Sequence, residues 1–159
     1  MLKLNRTTEY GIMALSYIRQ KENGTMSSAR EIADRFQLPF EILAKTLQKL
    51  KENGVIESSQ GTRGGYILLR NLKTLNLAEF IGMTEGSSQV VMCTHEKGVS
   101  SCEYQAHCNI QKVMWNLNDK IQDFLKNITL DELTLIPLQQ IHHEEKKEKK
   151  NVSQISNLS

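Results

Sequence analysis

Residues 39–70 read PFEILAKTLQKLKENGVIESSQGTRGGYILLR, and three changes of pattern within them set the fold. After Phe40 the apolar positions Leu43, Leu47 and Leu50 recur at helical spacing, which predicts a helix with one buried face. Pro39 suits the first turn of that helix, where its missing amide would be unpaired anyway, and it forces Leu38 to be extended. Gly54 is the stop, because only glycine takes a left-handed cap without a Cβ clash. Val55 and Ile56 then face residues 66–69 (YILL) across the polar run ESSQGTRGG, the pattern of a β-hairpin with a glycine-rich tip.

Upstream, Ser28 followed three residues later by Glu31 is a capping-box pattern, opening a short helix to about Phe36. An earlier helix is expected from a Thr7 or Thr8 cap to about Arg19, with Tyr10, Met13, Ala14, Tyr17 and Ile18 on one face and Asn23-Gly24 as the turn. Two short helices, a third helix and a hairpin, in that order, predict a mainly α winged helix-turn-helix with a small β-hairpin wing over residues 1–75. A connecting helix follows in 76–90, with Leu77, Phe80 and Ile81 apolar. A cysteine loop takes 91–108, a long helix and a short terminal helix 109–136, and 137–159 is a charged tail expected to stay disordered.

In the long helix, Ile110, Val113, Met114, Leu117, Ile121, Phe124, Leu125 and Ile128 form a single apolar stripe. It is longer than a domain of this size needs, so a two-fold dimer through that helix is expected. The bland alternative is packing on its own domain. Thr129 with Asp131 and Glu132 starts the last short helix, and Pro137 interrupts it.

The 159-residue chain has a net charge of only +2, which excludes a global polycation. Residues 41–73 are nonetheless locally basic, with Lys45, Lys49, Lys51, Arg63, Arg70 and Lys73 against Glu41, Glu52 and Glu57. Charge alone fits a solvated helix face as well as a phosphate-contacting one. The fold decides between them, because the second helix of such a motif enters the major groove of double-stranded DNA. Candidate contacts there are Phe40 against a thymine methyl, then Glu41, Ala44, Lys45, Gln48 and Lys49. Ser27, Ser28 and Arg30 begin the preceding helix near the DNA backbone, and Gln60, Thr62 and Arg63 occupy the wing tip. No segment has the apolar length of a membrane span and none reads as a leader, so a soluble, cytoplasmic protein with no membrane partner is expected.

All three thiols, Cys93, Cys102 and Cys108, fall within sixteen residues, with gaps of eight and five. An odd number cannot pair off as disulfides, and no CxxC knuckle suggests structural zinc. Thiolates spread along one loop suit an iron–sulfur centre, of two or four irons, with one ligand missing. Three small buried residues without a metal are the alternative. No nucleophile–base constellation or substrate-cradling glycine motif points to an enzyme. His142 and His143 read as a solvated tail pair.

The opening MLKLNRTTEYGIMAL, the segment LAKTLQKLKENGVIESSQGTRGGYILLR with Tyr66 after the glycines, and three cysteines before a long helix resemble the Rrf2 family of bacterial transcription regulators, over about residues 1–135. The resemblance implies a homodimer whose DNA affinity depends on an iron–sulfur cluster held by the three cysteines. It also implies a fourth, non-cysteine ligand. No histidine directly follows Cys108, so the resemblance favours Glu9 of the partner subunit, with His107 and His95 behind it. The eight-residue first gap resembles members that regulate iron–sulfur assembly operons of the SUF type. The function expected is a cluster-dependent repressor sensing cluster status, iron or redox stress. A nitric-oxide-sensing repressor, or a zinc-stabilised or metal-free regulator, is the alternative.

Overall fold

The computed structural model describes residues 3–21, 25–61, 64–92 and 102–135. Helices α1 (Arg6–Gln20), α2 (Ala29–Phe36) and α3 (Phe40–Glu52) precede strands β1 (Ile56–Ser59) and β2 (Gly65–Leu68). Then come a 3-10 turn (Leu72–Thr74), α4 (Leu77–Glu85), a second 3-10 turn (Gln105–His107), α5 (Gln111–Lys126) and α6 (Leu130–Thr134). The hairpin is antiparallel, with Ile56 opposite Leu68 and Ser59 opposite Gly65. The arrangement is the winged helix-turn-helix that the sequence predicts.

Leu43, Leu47 and Leu50 are fully buried and meet Ala14, Leu15 and Ile18 of α1, Ile32 of α2, Phe80 of α4 and Leu130 of α6 in one core. Ser28 and Glu31 form the complete capping box, the Ser28 hydroxyl accepting from the Glu31 amide at 3.1 Å. Gly54 ends α3 at φ +67. The wing is broader than a hairpin, because the main chain of Ser27 pairs with Tyr66 on the far side of β2 (3.1 and 2.9 Å). That approach needs Gly65: a Cβ there would lie 2.8 Å from the Ser27 carbonyl carbon and oxygen. The wing is therefore fastened to the strand-like lead into α2, and its angle to the helices is fixed.

Two expectations change. Neither Thr7 nor Thr8 caps α1; the N-cap is Asn5, with no side-chain cap. Thr8 is instead fully buried, sharing a 2.7 Å hydrogen bond with Thr84 and donating to Glu85, whose carboxylate also accepts the Asn5 amide at 3.0 Å. A carboxylate from the end of α4 thus satisfies the start of α1, which no local pattern encodes. The α5 stripe also divides. Met114, Ile121, Leu125 and Ile128 are half-buried, while Ile110, Val113, Leu117 and Phe124 stand 45 to 66% exposed. The turn at Asn23-Gly24, Thr62 and Arg63, Cys93, His95, Pro137 and the tail lie outside the described residues.

At the junction of α1 and α2, Glu31 accepts from the Tyr17 hydroxyl and the Lys21 ammonium, both at 2.6 Å. Those bonds, from Lys21 first and Tyr17 second, hold the Glu31 carboxyl below its ordinary value, and the same contact raises Lys21. The Glu31 contribution to stability is present above the ordinary carboxylate pKa of about 4.3 and is lost as pH falls through its lowered folded value. Lys21 contributes below about 10.4 and loses its share as pH rises through its raised one. Glu31→Gln keeps an N3 side chain that can cap but removes the charge. The Tm gap between wild type and Glu31→Gln is expected to close between about pH 5 and pH 3. A gap constant over that range would refute the assignment.

Candidate nucleic-acid interface and cysteine loop

On α3 the side opposite the buried leucines carries Glu41, Lys45, Gln48 and Glu52, all exposed, with Gln48 donating to Glu52 at 3.0 Å. Ile42, 42% exposed, borders this face and is an apolar group the sequence reading passed over. Its exposure was not legible from a segment where every third or fourth apolar residue is core. Lys45 has no hydrogen-bond or ion-pair partner among the described residues. Lys49 is engaged elsewhere: its ammonium donates to the Thr84 carbonyl at 2.6 Å, capping the C-terminus of α4.

Phe40 is half-buried against the core, and the Arg30 guanidinium lies over its ring, 4.2 Å from the centroid. A ring covered in this way does not present its face to a thymine methyl. Ser27 is fully buried, its hydroxyl without a hydrogen-bond partner among the described residues, so it adds main chain and not a surface group. Ser28 is the N-cap of α2, next to which Arg30 stands, and Glu41 lies in the first turn of α3. On the wing, Gln60 is exposed, and Gly61 closes the turn by accepting from the Gly64 amide at 2.9 Å.

Cys102 and Cys108 are thiols on either side of the second 3-10 turn, and Cys108 caps it. Both are half-buried. Between and beyond them Glu103, Tyr104, Ala106, His107, Asn109 and Ile110 face outward. The segment leading toward Cys93 is tied to α5. The Val90 amide donates to Asn118 Oδ1 at 3.1 Å, Ser88 Oγ to Gln122 Oε1 at 2.8 Å, and Gln122 Nε2 to the Ser88 carbonyl. Among the described residues no three of His, Cys, Asp or Glu gather closely enough to hold a metal ion. Glu9 lies in the first turn of α1, partly exposed and paired with Arg6 at 2.9 Å. No helix among the described residues is long and apolar enough to cross a membrane.

A buried helix-turn-helix core, an outward polar face on its second helix and a wing held beside it define a winged-helix DNA-binding regulator. The chain belongs to the Rrf2 family, described as iron-dependent transcriptional regulators, whose pattern it matches over residues 4–135. It is therefore a transcription regulator and not an enzyme. It is 29% identical over 133 residues to the HTH-type transcriptional regulator IscR of Pectobacterium atrosepticum, covering 83% of this chain and 79% of that one. With the HTH-type transcriptional regulator NsrR of Shouchella clausii it shares 24% over 134 residues, 84% of this chain and 89% of the relative. Among solved structures, CymR, the global cysteine regulator of B. subtilis, superposes with a TM-score of 0.64 at 22% identity, covering 84% of this chain and 97% of that one. IscR of T. potens does so at 0.59 and 23%, covering 83% and 85%. At those identities the likeness is one of fold.

Proposed function

We propose that this DNA-binding regulator is a homodimeric repressor whose grip on its operator depends on an iron–sulfur cluster held by Cys93, Cys102 and Cys108, with Glu9 of the partner subunit as the fourth ligand. The observation that carries the reading is the half-burial of Cys102 and Cys108 on either side of a 3-10 turn where Glu103, Tyr104, Ala106 and His107 are exposed. A purely linking loop has no reason to half-bury its thiols while Glu103, Tyr104, Ala106 and His107 beside them stand exposed. Thiolates are the soft, anionic donors such a centre takes, so the residues present fit it. When bound, the cluster supplies a redox- and iron-sensitive cross-link of the loop.

The remaining steps belong to the chain itself. Asn118 and Gln122 fasten the strap before Cys93 to α5. That strap leaves α4 at Gly86, beside Thr84 and Glu85, and those residues hold Lys49 of α3 and Asn5 and Thr8 of α1. A change in the loop is thereby passed to the recognition helix through one helix end. The exposed face of α5 borders a groove of about 630 Å³ lined by Leu4, Leu77, Ile81, Phe124, Leu125 and Ile128. A second copy fills it, setting two recognition helices at the spacing of successive major grooves. Glu41, Lys45 and Gln48 with Ile42 meet base edges, Ser28 and Arg30 the backbone, and Gln60, Thr62 and Arg63 the outer groove. Lys49 serves as the link to α4.

Anaerobic reconstitution with iron and sulfide, followed by binding to the chain's own promoter region, tests this. Visible absorbance, stoichiometric iron and tighter operator binding than the iron-free protein are expected. Colourless protein with unchanged DNA affinity would instead establish a metal-free regulator.

A further inference from the structure

Of the five described arginines, Arg6, Arg19 and Arg70 are each paired to a carboxylate, Glu9, Asp131 and Glu79, Arg35 is exposed with no ion pair among the described residues, and Arg30 alone lies over a ring. Arg30 is held differently. No acceptor or acid lies within hydrogen-bond or ion-pair reach of it among the described residues, although Glu31, Asp34 and Glu41 are close in sequence. Glu31 is already taken by Tyr17 and Lys21. The guanidinium rests instead over the Phe40 ring, 4.2 Å from its centroid, and Phe40 is anchored by half-burial in the core. Stacking takes up the face of the guanidinium and leaves its five N–H donors pointing outward in their plane. Its position is also costly without an anion, because the second residue of α2 sits at the positive end of that helix. An ordered, exposed cation with no protein partner, beside the start of α3, matches a group kept for phosphate oxygens.

From this we infer that Arg30 is a pre-ordered contact to a DNA phosphate at the edge of the site, and that Phe40 is the positioning residue beneath it rather than a base-reading group. The inference rests on the DNA-binding reading and deepens it. The first helix of a helix-turn-helix crosses the backbone, so a guanidinium held between α2 and α3 meets phosphate before base edges. Stacking removes side-chain freedom before binding, and the cost of ordering a long arginine is thereby met in the free protein.

The test titrates the full chain with a mixed-sequence duplex of about 30 base pairs between about 50 and 200 mM salt. The wild type is expected to bind with a steep salt dependence; no salt-dependent binding at all would overturn the DNA reading itself. Arg30→Ala is expected to lower the slope by about 0.9, so its affinity deficit shrinks about threefold to fourfold across that range. Phe40→Leu should weaken binding about twofold to tenfold with the slope kept, and Phe40→Trp should restore it. In the Arg30→Ala background, Phe40→Leu should have no further effect on binding, whatever it does to Tm. Additive losses in the double variant would overturn the positioning role. An unchanged slope in Arg30→Ala, or a loss confined to a genomic operator fragment, would overturn the phosphate contact.

Discussion

Replacing Leu117 by glutamate is expected to halve the mass of the protein in solution and to weaken operator binding by about a hundredfold or more. Leu117 sits midway along α5, between Val113 and Phe124, on the face that its own domain leaves uncovered. In a single protomer the substitution is nearly free, because the side chain already reaches water. In a helix-on-helix seam it buries an unpaired carboxylate, at a cost of several kcal/mol counted on both sides of a two-fold axis. Loss of the proposed seam would separate the two recognition helices that the proposed dimer sets on neighbouring half-sites. The affinity lost is the effective concentration one bound half gives the other, about a hundredfold to ten-thousandfold. Sedimentation and operator titration read both effects, while an unchanged Tm for the protomer keeps misfolding apart. A Leu117→Glu protein that stays dimeric at micromolar concentration would move the interface away from this face.

What the sequence made legible was local. The Ser28–Glu31 capping box, the buried Leu43, Leu47 and Leu50, and the positive φ at Gly54 each follow from a few neighbouring residues, and each stands in the structure. Missed were pairings made across the fold. Thr8 reads as a cap because threonine favours helix starts, yet its hydroxyl meets Thr84 and Glu85 some eighty residues on. Lys49 reads as a DNA-facing cation because charge patterning cannot see the α4 carbonyl that takes it. Phe40 likewise falls in the right helix turn for base reading, while a stacked Arg30 covers it. The α5 stripe is the more instructive case. Periodicity fixes an arc of the helix, but not which part of that arc its own α4 covers and which part is left for another chain. In the cysteine loop, number and spacing point to the soft-metal site proposed above. A ligand proposed from a second subunit would leave no mark near the thiols, so Glu9 entered only through family resemblance.

The proposed fourth ligand, Glu9 of the partner subunit, would join the two subunits at the proposed cluster, and its removal should separate loading from retention. Cys108→Ser is expected to abolish iron loading under anaerobic reconstitution, since a serine hydroxyl stays protonated at neutral pH and offers no soft anion in place of a thiolate. Glu9→Ala should behave otherwise. Three thiolates still take up iron, so content per chain stays near wild type, while release to a chelator accelerates about tenfold or more. The pairing of Glu9 with Arg6 at 2.9 Å does not argue against its transfer to a metal. Both side chains are substantially solvated, and an exposed pair of that kind contributes about 0–1 kcal/mol, which a metal–carboxylate bond outweighs. Arg6→Gln should therefore leave iron loading intact. His107→Ala is the informative control, because His107 is exposed at the end of the 3-10 turn, next to Cys108. If His107→Ala hastens iron release and changes the visible spectrum while Glu9→Ala matches wild type in both, the ligand lies within the loop itself. Each subunit would then hold its centre without its neighbour, and the dimer seam would carry the signal through α5 alone.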